Sequence, residues 1–278
     1  MPVRPFVLAA ALLAGGIASA QSTLPAPRLQ AVDGRQVEIL TGGIESAPGT
    51  VVFEAGLRET LATWTPVLRQ VAPKARVFAY NRPGYGRSDA VDEPRDGATV
   101  VEELRRALHE AGCAPPYVLV GHSMGGLYMQ AFARAHASEV AGVVLVDAVY
   151  PGVIKRPEDF PFFTRVARQV FFSAAVNREI DAIHATGDEV LALPAHDEIP
   201  MIRLFNVPRS AGAVAVDFGV VDEGPAVRTR VEALYPRARK VIVDSDHRVQ
   251  EANPEVVAKA IEELLQGLAT PRREASSR

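Results

Sequence analysis

Tyr117-Val118-Leu119-Val120-Gly121-His122-Ser123-Met124-Gly125-Gly126-Leu127-Tyr128-Met129-Gln130 is the stretch whose reading decides the fold. The apolar run Tyr117–Val120 reads as a strand, and the residues from Gly126 to Ala133 read as a helix. Between them stands the pattern G-x-S-x-G, which in strand–turn–helix context presents a nucleophilic serine. The two glycines have a steric cause. A sharp turn holds Ser123 in a strained backbone conformation, and side chains two residues to either side would collide. The same turn puts Ser123 at a helix N-terminus, where free N–H groups can stabilise negative charge.

Outward from this turn, strands and helices alternate. Leu29 to Thr41 reads as a hairpin with Asp33-Gly34-Arg35 at its turn, and Thr50–Glu54 and Arg76–Tyr80 read as strands. Leu61–Val71 and Thr99–Ala111 carry apolar residues at helical spacing. Val140–Val146 is a nearly continuous apolar strand, as expected where both faces of a parallel sheet are covered. The pattern breaks from Tyr150 to Pro208, a Phe-rich stretch with at least two helical segments, which reads as an inserted cap. It resumes with a strand at Ala213–Val216, a helix near Pro225–Leu234, a strand at Lys240–Val243 and a helix at Pro254–Leu268. Such alternation predicts an α/β fold with a mostly parallel central sheet, helices on both faces and a helical cap.

The 278 residues suffice for one large domain, and a formal net charge of −3 gives no reason to expect nucleic acid or an anionic membrane surface. Arg4, the apolar run Phe6–Ile17 and Ala18-Ser19-Ala20 read as a secretory signal peptide, with an uncleaved N-terminal anchor as the alternative; cleavage predicts a periplasmic or secreted protein without stable membrane association. The expected organisation is therefore a signal peptide at 1–20, a flexible lead at 21–28 and a core at 29–149. A cap at 150–208, the rest of the core at 209–269 and a tail at 270–278 complete it. Cys113, the single cysteine, excludes an intrachain disulfide and reads as a small buried apolar residue.

A serine hydroxyl needs a base to take its proton, and the base needs a carboxylate to orient it. Of six histidines only His247 directly follows a late strand and precedes the last helix, so it can hang over the carboxyl edge of the sheet, where chemistry collects. His122 lies inside the turn and reads as a packing residue. For the acid, Asp222 is preferred because its loop is expected beside that of His247. Asp147 is the rival, at the end of the strand after the nucleophile helix, with Asp217 and Glu223 behind it. Asp246 is too close to His247 along the backbone to orient the ring. The expected oxyanion donors are the N–H groups of Met124 and Leu57, the latter in the turn Glu54-Ala55-Gly56-Leu57.

These residues resemble the α/β-hydrolase-fold serine hydrolases. The likeness is carried by Gly121–Gly126, by Asn81-Arg82-Pro83-Gly84-Tyr85-Gly86-Arg87-Ser88, by Val144–Ala148, and by Asp246-His247 with Asn253-Pro254-Glu255. Departures are Ala55-Gly56 for the family's His-Gly, Asn81 where Asp is common, and Asp246 for the Gly before the histidine. A serine nucleophile argues against the dehalogenases of this fold, whose nucleophile is Asp. The resemblance implies cleavage of a carboxylic ester through an acyl-enzyme at Ser123, with no cofactor or metal, and the Phe-rich cap adds the expectation of a small to medium, largely apolar substrate. A lactone, amide or C–C bond would suit the same residues. A ligand-binding protein on the same fold with little turnover is the reading from another class.

Overall fold

The computed structural model describes residues 24–206, 220–222 and 224–269. Eight strands form one sheet: β1 Arg28–Val32, β2 Arg35–Gly43, β3 Thr50–Glu54, β4 Arg76–Tyr80, β5 Tyr117–His122, β6 Val140–Val146, β7 Met201–Asn206 and β8 Arg239–Val243. Their order is β1-β2-β4-β3-β5-β6-β7-β8, with β2 antiparallel to both its neighbours and every other pairing parallel. The helices are α1 Thr65–Val71, α2 Gly97–Glu110, α3 Met124–Ala135, α4 Phe162–Phe171, α5 Ala174–Ala192, α6 Pro225–Leu234, α7 Val249–Ala252 and α8 Pro254–Ala269. This is the α/β architecture expected from the alternation.

The central strands are apolar along most of their length because both faces are covered. On one face Val52, Leu119, Val143 and Leu145 pack with side chains of α2, α3 and α5. On the other Val51, Phe53, Val118, Val120 and Val144 pack with α1 and α8. Cys113 is buried, as expected.

The inserted segment differs from its expected extent. Its helices α4 and α5 are present, but β7 occupies Met201–Asn206, inside the stretch assigned to the cap. A buried charge hid this strand. Arg203 is 1% exposed, its guanidinium lies 4.9 Å from the Tyr150 ring centroid and 4.8 Å from that of Phe205, and its Nε donates to Tyr150 Oη at 3.1 Å. Aromatic faces and a hydroxyl replace water around the cation, so an arginine sits where the strand pattern calls for an apolar residue. The expected strand at 213–216, the signal peptide at 1–20 and the tail at 270–278 lie outside the described residues.

The cap also departs from a uniform apolar cover. Helix α5 contributes Val176, Ile180, Ile183 and Val190 to the core, whereas α4 has no buried residue and leaves Phe162, Phe163 and Phe171 about three-quarters exposed.

Candidate active site

Register brings five strand ends to one edge. Glu54 of β3 pairs with Gly121 of β5, His122 of β5 with Val146 of β6, Val146 with Leu204 of β7, and Asn206 with Val243 of β8. The residues that follow these ends therefore leave the sheet side by side: Ala55-Gly56-Leu57, Ser123, Asp147 and the loop carrying His247. Backbone strain marks the same edge. Among the described residues four non-glycines have positive φ, and three of them, Arg58, Ser123 and Asp147, lie here. Strain of this kind persists only where the surroundings over-determine it, and it clusters at functional sites.

Ser123, with φ 50° and ψ −122°, is the N-cap of α3. The neighbouring glycines are required by close approach. A Cβ on Gly121 would meet Gly125 O and Gly126 Cα at 2.7 Å, and one on Gly125 would meet Glu54 O at 2.4 Å and Ala55 O at 2.5 Å. The second contact seats the end of β3 against the first turn of α3. It brings the turn that holds Leu57 to the same helix end as Met124, whose N–H is one of the four an α-helix leaves unpaired at its start.

His247 stands beside this turn through an unforeseen intermediary. His122 is fully buried; its Nε2 donates to His247 O at 2.8 Å, and the two rings lie 4.6 Å apart. His122 Nδ1 faces Glu59 Oε2 at 2.8 Å. Glu59 also accepts from Gly56 N at 3.1 Å and pairs with Arg248 Nε at 3.2 Å. Burial alone would raise the Glu59 carboxyl, but the His122 contacts, the Gly56 N–H and Arg248 outweigh it and hold it below the usual carboxylate range. His122 is thus a polar link between the turn and the His247 loop, not a mere packing residue. Glu59 was not anticipated; its one sequence signal is a carboxylate three residues after Gly56, the spacing that caps a turn.

The structure pairs His247 with Asp147 and not with Asp222. His247 Nδ1 lies 2.7 Å from Asp147 Oδ2. Asp147 is over-determined: its N–H donates to Leu204 O at 2.8 Å and its Oδ1 accepts from Asn206 N at 3.2 Å. The hydrogen bond that His247 donates to Asp147 raises the imidazole above its ordinary value of 6.5, against partial desolvation. Asp222 is exposed, with its N–H on Val153 O at 2.8 Å and its Oδ1 accepting from Gly224 N at 3.1 Å. The correction has a topological cause. The strand beside β6 ends at Asn206, well before Asp222, and Asp222 is drawn to the 153–154 turn by the bridge Ile154–Val221. Asp246 caps the turn to Arg248 N at 3.0 Å. Asp217 and Glu223 lie outside the described residues.

The departure at Asn81 is explained by its neighbours. Its Oδ1 accepts from Leu61 N at 2.7 Å and its Nδ2 donates to Glu38 Oε2 at 2.7 Å. A carboxylate at 81 would face that of Glu38, so the donor half of an amide is needed.

The sequence profile of the Alpha/beta hydrolase family matches residues 51–260. The chain belongs to that family. A thermophilic esterase from Thermogutta terrifontis superposes with a TM-score of 0.62 at 18% identity, over 88% of this chain and 100% of that one. An enol-lactonase from Burkholderia xenovorans gives 0.59 at 18% identity over 86% and 100%, and a haloalkane dehalogenase from Bradyrhizobium elkanii gives 0.63 at 17% over 88% and 97%. At such identity the likeness is one of fold, and fold hosts several chemistries. Among curated sequences, an uncharacterized protein of Bacillus subtilis is 24% identical over 213 residues, 76% of this chain and 81% of that protein. An uncharacterized Schizosaccharomyces pombe protein is 45% identical over 78 residues, 28% of this chain and 15% of its own length. The chain thus spans most of the bacterial relative and a small part of the fungal one. Among the described residues no helix is long and apolar enough to cross a membrane.

Proposed function

We propose that this chain is an exported serine hydrolase that cleaves a small to medium, largely apolar carboxylic ester through an acyl-enzyme on Ser123. The observation that carries the reading is the 2.7 Å pair of His247 Nδ1 and Asp147 Oδ2 at the strand edge that also holds the strained Ser123. In this reading Asp147, not Asp222, orients the imidazole with its proton on Nδ1, leaving Nε2 as the base. Ser123 Oγ adds to the ester carbonyl carbon while its proton passes to His247 Nε2. The oxyanion that forms accepts from the Leu57 and Met124 N–H groups. Collapse expels the alcohol, which takes the proton from His247. Water activated by the same nitrogen then attacks the acyl carbon, Ser123 leaves with the proton, and the acid is released.

Half-buried apolar side chains support an apolar substrate. Val149, whose N–H binds Ser123 O at 2.9 Å, Leu57 and Phe172 all belong to this set. Phe172 lies 4.6 Å beneath the Arg58 guanidinium, beside the turn that carries Leu57. Export rests on the N-terminal pattern of charge, apolar run and small-residue cleavage site.

The test is labelling with a fluorophosphonate, run with a panel of chromogenic esters of rising acyl length beside lactone and amide substrates. The reading expects labelling at Ser123 that is abolished in Ser123→Ala and His247→Ala, and fastest turnover of short to medium acyl esters. A folded protein that neither labels nor turns over any member of the panel refutes it. Mass spectrometry of the processed protein checks export, with Gln21 as the expected first residue.

A further inference from the structure

Leu57, the residue whose N–H the proposed mechanism uses, lies between two anchors, and both lead to one residue of the cap. On its N-terminal side the carbonyls of Ala55 and Gly56 accept from Arg82: Nη1 to Ala55 O at 2.7 Å and Nη2 to Gly56 O at 3.0 Å. On its C-terminal side the Arg58 N–H donates to Tyr85 Oη at 3.4 Å. Behind both anchors is Glu179 of α5. It takes Arg82 on two oxygens, Nε to Oε1 at 2.7 Å and Nη2 to Oε2 at 3.1 Å, and it accepts from Tyr85 O–H at 2.7 Å. The remaining edge of Arg82 is held by Glu54, Nη1 to Oε1 at 2.6 Å, and Glu54 in turn accepts from Tyr80 O–H at 2.6 Å. Arg82, Glu54 and Glu179 are all buried. Burial and the nearby Glu179 push the Tyr85 hydroxyl up to about 12, so it stays a donor at neutral pH.

Peptide geometry turns this cluster into a directional device. The Gly56–Leu57 peptide is trans, so its C=O and N–H point in opposite directions. A guanidinium that draws Gly56 O towards the core aims the Leu57 N–H away from it. A flipped peptide would put a carbonyl where the oxyanion forms and strand an Arg82 donor in a buried site. We propose that Glu179 is a positioning residue for catalysis: through Arg82 and Tyr85 it fixes the peptide that presents the Leu57 N–H, so cap helix α5 must be seated for the oxyanion site to be formed. Seating is itself close. A Cβ on Gly84, in the same loop as Arg82 and Tyr85, would meet Ala175 Cβ of α5 at 2.5 Å. This inference rests on the ester-hydrolase reading and on Leu57 as a donor, and it adds the cap to that machinery.

The experiment is Glu179→Gln, which keeps the shape of the side chain and weakens its grip on Arg82. Glu189→Gln serves as the control: Glu189 lies on the same helix and accepts from Ala98 N at 3.2 Å, away from this cluster. Loss of one oxyanion donor costs about 10²–10³ in kcat, so a loosened one is expected to cost roughly 10- to 100-fold. KM should change less than about twofold, because the contact is made only in the transition state. Affinity for a trifluoromethyl ketone, whose adduct carries the oxyanion, should fall by the same factor as kcat/KM. Glu179→Asp, tested alongside, should recover part of the loss, and the control should retain wild-type kcat. The inference is overturned if folded Glu179→Gln keeps kcat within about twofold, or if KM alone rises while ketone affinity is unchanged. It is equally overturned if Glu189→Gln loses as much, since cap stability would then be the cause. Should Glu179→Gln fail to fold, Tyr85→Phe is scored by the same criteria. A wild-type protein that is neither labelled at Ser123 nor active on esters refutes the underlying hydrolase reading, and the inference falls with it.

Discussion

Asp147→Asn should reduce kcat/KM by about 10³–10⁴, whereas Asp222→Asn should leave it within about twofold. The magnitude follows from how the site would accommodate an amide. Asp147 Oδ1 accepts from Asn206 N at 3.2 Å, and its other oxygen faces His247 Nδ1 at 2.7 Å. The Asn206 N–H needs an acceptor, so an amide side chain at position 147 must place its oxygen there and turn its NH₂ towards His247. That NH₂ donates to Nδ1, and the imidazole proton is displaced to Nε2. The nitrogen that should accept the Ser123 proton is then itself protonated. The loss corresponds to about 4–5.5 kcal/mol of transition-state stabilisation. The fold should be little affected, because the Asn206 contact survives. The assay is steady-state hydrolysis of a chromogenic ester, with the thermal midpoint of each variant recorded beside it. If Asp222→Asn is the crippled variant and Asp147→Asn retains activity, the assignment drawn from the hydrogen bonds is refuted.

The pH profile offers a second check. Asp147 raises His247 above 6.5 by stabilising its protonated form, and only the neutral ring can accept a proton. The acidic limb of kcat/KM is therefore expected above pH 6.5, falling as pH drops, and it should move downward in Asp147→Asn; a limb already below 6.5 in the wild type contradicts this. Glu59→Gln loses the charge that faces His122 and Arg248, and should lower kcat/KM by about tenfold through the His247 loop, the order of one charge-assisted hydrogen bond. Unchanged kinetics would show that the His122 link does not position His247. Asn81→Asp sets two carboxylates at the 2.7 Å contact with Glu38 and should cost about 1–3 kcal/mol in denaturant unfolding at neutral pH, with much of the loss recovered when acid protonates one of the pair.

Local chemistry made the glycine-flanked turn at Ser123 legible. Gly121, Ser123 and Gly125 are dictated by contacts within a few residues or with the adjacent strand, and a strand–turn–helix pattern survives in any environment that covers both faces. His247 was legible for a similar reason, since it follows β8 directly and the carboxyl edge of a parallel sheet is common to all its strands. The strand at Met201–Asn206 was not, because Arg203 is buried by stacking on Tyr150 and Phe205, and no local pattern announces that solution. Glu59, His122 and Glu179 were obscured in the same way: each acts through a partner far along the chain.

By itself, then, the order of residues determined where the chain turns, which faces of its strands and helices are apolar, and which hydroxyl and imidazole are set at strand ends. Only the tertiary structure decided which carboxylate meets the imidazole. Asp147 and Asp222 both follow plausible strand ends, and hydrogen-bond reach is a few ångströms. Choosing between them requires knowing that β7 lies beside β6 and that Leu204 and Asn206 hold Asp147 in a left-handed turn. Periodicity reports burial along one element, whereas a contact between elements is set by sheet order and register, which no single segment encodes.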